Sequence, residues 1–327
     1  MEFKSISIVG LEKNTGKTET INYLIKKIKK NIGITSIGID GESIDQVTYT
    51  KKPEIEIKEE TIFATAEKFY KQKRFTSEIL SIEDELRTSL GRIIIAKSLE
   101  KGKIILAGPQ SAEKLKQLIE KLKTFGAELI LIDGALSRLS PASPVITDAM
   151  ILATGAALTI NINELVKRTI HTVKMIQLDE TEKKEKIKNL SDGIYTITEK
   201  IEKLPIKSLL SFKNLEKHIL EYGKKIYLTG ALTENFLKYL IKQKDLKNVE
   251  IIVKDFTKIF ITPETYKIYT KKGGKIKVLK KTNLIAITIN PYSPQGYILD
   301  SNEIKKRLRK LTDIPIINVR EDELWLN

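Results

Sequence analysis

The segment Gly10-Leu-Glu-Lys-Asn-Thr-Gly16-Lys17-Thr18 constrains what this chain can fold into more than any other feature. Before it lies a short β-rich run, residues 3 to 9. After it, Thr18 to Ile28 sets Ile21, Leu24, Ile25 and Ile28 on one helical face. Strand, glycine-bearing loop and helix, in that order, make a cradle for an anion. The loop leaves backbone N–H groups unpaired at the helix N-terminus, where the helix dipole adds partial positive charge. Gly16 permits close approach, Lys17 is expected to reach the β- and γ-phosphates of a nucleotide, and the Thr18 hydroxyl to coordinate Mg²⁺. The candidate nucleotide-binding residues are Gly10, Lys13, Asn14, Thr15, Gly16, Lys17, Thr18 and Glu19.

The remaining pattern predicts an α/β fold. Ile34 to Ile39 reads as a second strand ending at Asp40-Gly41. Helical tracts are expected around Thr61 to Gln72 and Ile82 to Lys101, a strand at Lys103 to Ala107 and a helix at Ser111 to Thr124. Leu129 to Ile132 is a continuous apolar run of the kind buried on both faces of a parallel sheet. Strand and helix alternation implies right-handed βαβ units, hence a mostly parallel sheet flanked by helices. Residues 178–223 are charge-dense and helix-leaning and predict a connecting region. Beyond them, strands at Lys225 to Leu228, Val249 to Val253, Leu284 to Ile289 and Pro315 to Val319, with helices at Thr233 to Gln243 and Asn302 to Leu311, predict a second, smaller α/β lobe. The expected division is a nucleotide-binding domain over 1–177, a helical connection over 178–223 and a second lobe over 224–327.

The formal charge of +15 raises the question of nucleic acid. The basic residues alternate with Glu along predicted helices, as in Glu113 to Lys123 and Glu180 to Lys188, and no basic stretch carries interleaved aromatics. A solvated lysine-rich surface is the expectation, not a nucleic-acid interface. The chain has no cysteine, its first ten residues read as a strand and not as a leader, and the apolar run around Ala149 to Ile162 is interrupted by Thr154, Gly155 and Thr159. These features predict no membrane span and a cytoplasmic location.

Asp133 follows the apolar run Leu129 to Ile132, which sets its carboxylate near the C-terminal edge of a parallel strand, where open α/β sheets bind ligands. There it looks like a Walker B aspartate, a candidate Mg²⁺ ligand with Thr18 as partner. The segment from Asp133 to Asp148 is long for a connection, and Ser137, Arg138, Ser140 and Ser143 are candidate polar contacts in it, a structural loop being the alternative. His171 and His218 stand apart from any second His or Cys, so no zinc site is expected.

The six-residue step from Gly10 to Gly16 resembles the phosphate loop of dethiobiotin synthetase and the related amidases of cobalamin biosynthesis. These belong to the P-loop class that also holds the MinD-type ATPases. Leu11 stands where the common pattern has its first glycine, and Lys13 lies one position from the MinD-type signature lysine. The resemblance implies that Asp40, at the end of the second strand, lies near the metal and the attacking water, with Glu42 and Asp45 as alternatives. It also implies that Asn290, after a late strand, helps read the base. Lys17, Asp40 and Asp133 are thus the expected catalytic groups, and Thr18, Asp40 and Asp133 the expected metal ligands.

A narrower resemblance joins Ile37 to Asp45, Ile132 to Arg138 with Ser143-Pro144, and Thr288 to Pro294. Together they are similar to the P-loop subunit of lysine 5,6-aminomutase reactivase. That likeness implies ATP and Mg²⁺ as ligands, a companion ATPase subunit and the adenosylcobalamin-dependent aminomutase as partners, and slow ATP hydrolysis used to release damaged cofactor. Two alternatives stay open: a ligase or kinase of the dethiobiotin synthetase type, and a nucleotide-gated interaction module without significant turnover. ATP against GTP, and a homodimer against other states, also stay open.

Overall fold

The computed structural model describes residues 3–38, 54–135, 146–206, 218–243 and 245–322. In chain order the first elements are β1 (Ser5–Gly10), α1 (Lys17–Lys27), β2 (Ile32–Ser36), β3 (Ile55–Ile57), β4 (Ile62–Ala66) and α2 (Glu67–Gln72). There follow β5 (Ser77–Thr88), β6 (Gly91–Ser98), β7 (Gly102–Ile104), α3 (Ala112–Thr124), β8 (Leu129–Ala135), β9 (Ala149–Gly155) and α4 (Ile162–Ile176). Then come α5 (Lys184–Ile187), β10 (Ile194–Ile197), β11 (Ile201–Lys203), β12 (Lys225–Leu228), β13 (Leu232–Thr233), α6 (Glu234–Ile241), β14 (Glu250–Val253) and β15 (Ile259–Phe260). The last are α7 (Pro263–Lys271), β16 (Lys275–Val278), β17 (Leu284–Asn290), α8 (Ser301–Arg309) and β18 (Ile316–Asn318).

The chain divides into two compact units, one of residues 1–166 with 284–327 and one of residues 167–283. The first is built on a nine-stranded sheet in the order β18-β17-β9-β1-β8-β2-β4-β6-β5. From β18 to β4 all neighbours are parallel; β6 and β5 complete the sheet antiparallel. Side chains alternate across β8. Leu129 and Leu131 pack with Ile21, Leu24 and Ile25 of α1, while Ile130 and Ile132 pack with Leu115, Leu118, Ile119 and Leu122 of α3. Helices therefore cover both faces, which is why β8 is apolar at successive positions.

Three expectations are corrected in this unit. The segment expected as a helix over 82–101 is the β5–β6 hairpin: Ile93, Ile94 and Ile95 are β-branched and buried in β6, and Gly91 turns the chain at φ 103°. Of the helical tract at 61–72, residues 62–66 are β4, fully buried, and only Glu67–Gln72 is helical. The third concerns the domain boundaries. Residues 284–327 belong to the first unit, because β17 pairs with β9 and β18 with β17.

The second unit carries a five-stranded sheet, β11-β10-β12-β14-β16, parallel from β12 to β16 and antiparallel through β10 and β11. Residues 178–223 are thus not a helical connection, since β10 and β11 pair inside this sheet. Tyr195, Ile197, Tyr227 and Ile252 form its core with Ile187 and Leu279.

Candidate functional site

β1 is buried at all six positions and stops at Gly10. A Cβ on Gly10 would lie 2.5 Å from Thr15 Oγ1 and 2.9 Å from Lys17 Cγ, so the loop folds back onto its own strand end only if that residue has no side chain. Thr15, buried, fixes the fold-back through a hydrogen bond from its hydroxyl to the Glu12 carbonyl (2.9 Å). Asn14 takes a left-handed backbone (φ 60°), a conformation asparagine tolerates. Gly16 follows at φ 98° as the N-cap of α1.

Gly16 has no side chain to cap the helix, so the leading amides of α1 lack the usual acceptor. Among the described residues, the amide of Thr20 is the first in the helix to find a backbone acceptor outside it, the Gly16 carbonyl at 2.9 Å. Glycine here leaves donors that a serine or aspartate would have satisfied. Those donors and the dipole point at the same space.

Asp133 enters that space through the register of the sheet. It lies in the C-terminal half of β8, opposite Ile8 of β1 and Ser36 of β2. Alternation places it on the same face as Leu129 and Leu131, the face covered by α1. Its Oδ1 lies 3.4 Å from Lys17 Nζ. The oxygen is buried and has no hydrogen bond, so this contact is an ion pair without hydrogen-bond alignment. A buried carboxylate oxygen in that condition is rare, and its free lone pairs are of the kind a cation would use. The donor set suits magnesium: one carboxylate and one hydroxyl, Thr18, half-buried in the first turn.

A second wall comes from β17. Ala286, Thr288 and Asn290 alternate onto the α1 face, and Thr288 shares a 2.8 Å hydrogen bond with Thr20, whose hydroxyl also reaches the Gly16 carbonyl (2.9 Å). Asn290 presses on the loop itself, since a Cβ on Gly16 would lie 2.7 Å from its Cβ. A Cβ on Gly155, the register partner of Asn290 on β9, would lie 2.2 Å from the Asn290 carbonyl oxygen. Asn290 is buried, and its Oδ1 accepts from the Tyr292 amide (3.1 Å).

Arg320, just past β18, was not singled out by the sequence. Its guanidinium binds Glu19 through two nitrogens, at 3.2 and 2.6 Å, and its Cζ sits 4.3 Å from the centre of the Tyr292 ring. Glu19 holds the Arg320 guanidinium above its usual pKa. Of the expected residues, Gly10, Asn14, Thr15, Gly16, Lys17, Thr18, Glu19, Asp133 and Asn290 come together at this sheet edge. Lys13, exposed, sits on the same loop. Asp40, Glu42, Asp45, Ser137, Arg138, Ser140 and Ser143 lie outside the described residues. His171 and His218 sit in the second unit. Among the described residues no group of three or more His, Asp and Glu forms a metal cluster, and no helix is long and apolar enough to cross a membrane.

No protein-family model matches this chain, and neither curated proteins nor solved structures give a match.

Proposed function

We propose that this chain is a P-loop nucleotide-binding protein that holds a nucleoside triphosphate with Mg²⁺ at the Gly10–Thr18 loop. The observation that carries the reading is the approach of Lys17 Nζ to the unbonded, buried Oδ1 of Asp133 beside a helix N-terminus that has no cap. Lys17 and the loop amides would balance phosphate charge, while Thr18 and Asp133 would hold the metal, which supplies further charge neutralisation. Lys17 and Asp133 are already opposed, so little rearrangement is needed before binding. Catalysis at such a site comes from positioning and electrostatics and requires no protein nucleophile.

The finer reading rests on sequence resemblance alone. In it the nucleotide is ATP, and its slow hydrolysis drives release of damaged cofactor from lysine 5,6-aminomutase, together with a companion ATPase subunit.

Calorimetry with Mg-ATP and Mg-GTP, on the native chain and on Lys17→Ala, tests the site. Phosphate release with and without purified lysine 5,6-aminomutase tests the role. Unchanged affinity in Lys17→Ala would sink the phosphate-loop reading. Binding that depends on Lys17, with release indifferent to the aminomutase, would keep the site and return the function to a ligase or a nucleotide-gated module.

A further inference from the structure

A groove of about 940 Å³ runs along α1, walled by the β3–β7 ribbon and by residues 319–322. The Glu56 amide donates to Asn22 Oδ1 (3.0 Å), which ties β3 to the helix. Buried Tyr23, Ile57 and Val319 lie along the floor.

The charges around the groove do not balance. Among the described residues lining it, three carboxylates have a cationic partner, Glu19 with Arg320 (2.6 Å), Glu56 with Lys103 (3.6 Å) and Asp322 with Lys305 (2.6 Å), while Glu321 accepts only from the Ser301 hydroxyl (3.2 Å). Four cations remain, Lys26, Lys27, Lys58 and Lys101, and among the described residues none has a carboxylate within ion-pair distance. Lys26 and Lys27 in the last turn of α1 can be explained by the helix dipole. Lys58 and Lys101 cannot, because they lie at the end of β3 and just before β7, and the charges of Lys101 and Lys26 both reach Lys58.

Lys58 is half-buried, and its ammonium donates to the Lys26 carbonyl (2.7 Å). Burial lowers its pKa, and the charges of Lys101 and Lys26 lower it further. Like charges gathered in a concavity raise the local potential for an anion. We propose that this end of the groove binds a small polyanion, a molecule bearing two or more phosphate or carboxylate groups. The site is distinct from the Gly10–Thr18 loop and does not depend on it. Two lysines clamp from the helix and two from the ribbon, and the anion supplies a countercharge that no described carboxylate gives them.

The test is calorimetry with tripolyphosphate and with citrate on the full chain carrying Lys17→Ala, which removes the loop's own phosphate affinity. One saturable site is expected, weakening as salt rises between about 50 and 200 mM. Adding Lys58→Gln and Lys101→Gln together should weaken it about tenfold, since the pair removes two charged contacts at a partly exposed site. Lys58→Arg should retain it, separating charge from damage to the groove. Tripolyphosphate binding alone would identify a phosphate ligand, and citrate binding alone a carboxylate ligand. Binding by neither, binding unchanged by the two glutamines, or binding seen only when Lys17 is intact would overturn the proposal.

Discussion

Gly16→Ala should be strongly damaging at the candidate site, and its cost can be split into two parts. The first is backbone: at φ 98° an alanine adopts a conformation that L side chains disfavour by about 1–2 kcal/mol. The second is steric: the new methyl would lie 2.7 Å from Asn290 Cβ, and both are held by strands or helix, so relief requires moving a packed element, about 1–3 kcal/mol. The sum is about 3.5 kcal/mol, which in a unit of about 200 residues lowers Tm by about 7–14 °C. Asn290→Gly removes the second part only. A double-mutant cycle measured by urea unfolding should therefore show about 2 kcal/mol of coupling, with about 1.5 kcal/mol of the Gly16→Ala loss left in the double variant. Additive effects of the two substitutions would refute the argument that Asn290 packs on the loop. A Gly16→Ala chain as stable as the native one would refute the backbone term as well.

Arg320→Ala should lower Mg-ATP affinity about two- to fivefold by leaving Glu19 unpaired beside incoming phosphate, the pair being partly exposed. Adding Glu19→Gln should restore most of it in the same calorimetric assay. Burial holds the His171 imidazole below its usual pKa, outweighing the upward pull of the Ile261 carbonyl (3.0 Å) and of Glu264. The folded state thus prefers the neutral ring, so His171 adds stability above pH about 6.5 that is lost as pH falls. His171→Gln should reduce the drop in urea midpoint between about pH 7.5 and pH 5.5. Tyr227 buries a hydroxyl without a hydrogen bond, and burial pushes its pKa up to about 12. Tyr227→Phe should raise stability by about 1 kcal/mol, and a loss of that size would show that the hydroxyl has a partner in solution.

The local parts of this fold were legible because single segments determine them. Gly10 to Thr18 carries its loop geometry in two glycines and an asparagine, and Leu129 to Ile132 reads as a doubly covered strand since each face meets a different helix. The β5–β6 hairpin was misread because Ile82 and Leu86, four apart, mimic a helical stripe. The deciding signals were the β-branched run Ile93 to Ile95 and the turn glycine before it. At the candidate site, Asn290 could be suggested by its place after an apolar strand. Its contact with Gly16 could not, because that depends on β17 pairing with β9 in a register where Asn290 meets Gly155. Arg320 carried no local signal, since a basic residue after a strand is common in a chain with 57 Lys and Arg.

The misplaced domain boundary has the same origin as the missed contacts. Sequence distance favoured grouping 284–327 with the strands just before it, yet β17 has an interior position in the first sheet, between β9 and β18, and is buried at every residue but Ile285. A strand rich in β-branched residues, buried on both faces, fits the interior of a parallel sheet better than an edge. Its placement decides the site. Thr288 and Asn290 reach α1 and its loop only from β17, and Arg320 reaches Glu19 only from the end of β18. The loop sequence brings Lys17 and Thr18 to the edge of β1, but the wall that confines Gly16 is supplied from the far end of the chain. The candidate site is thus a property of a discontinuous unit, in which residues 284–322 brace a loop that residues 1–166 can only begin.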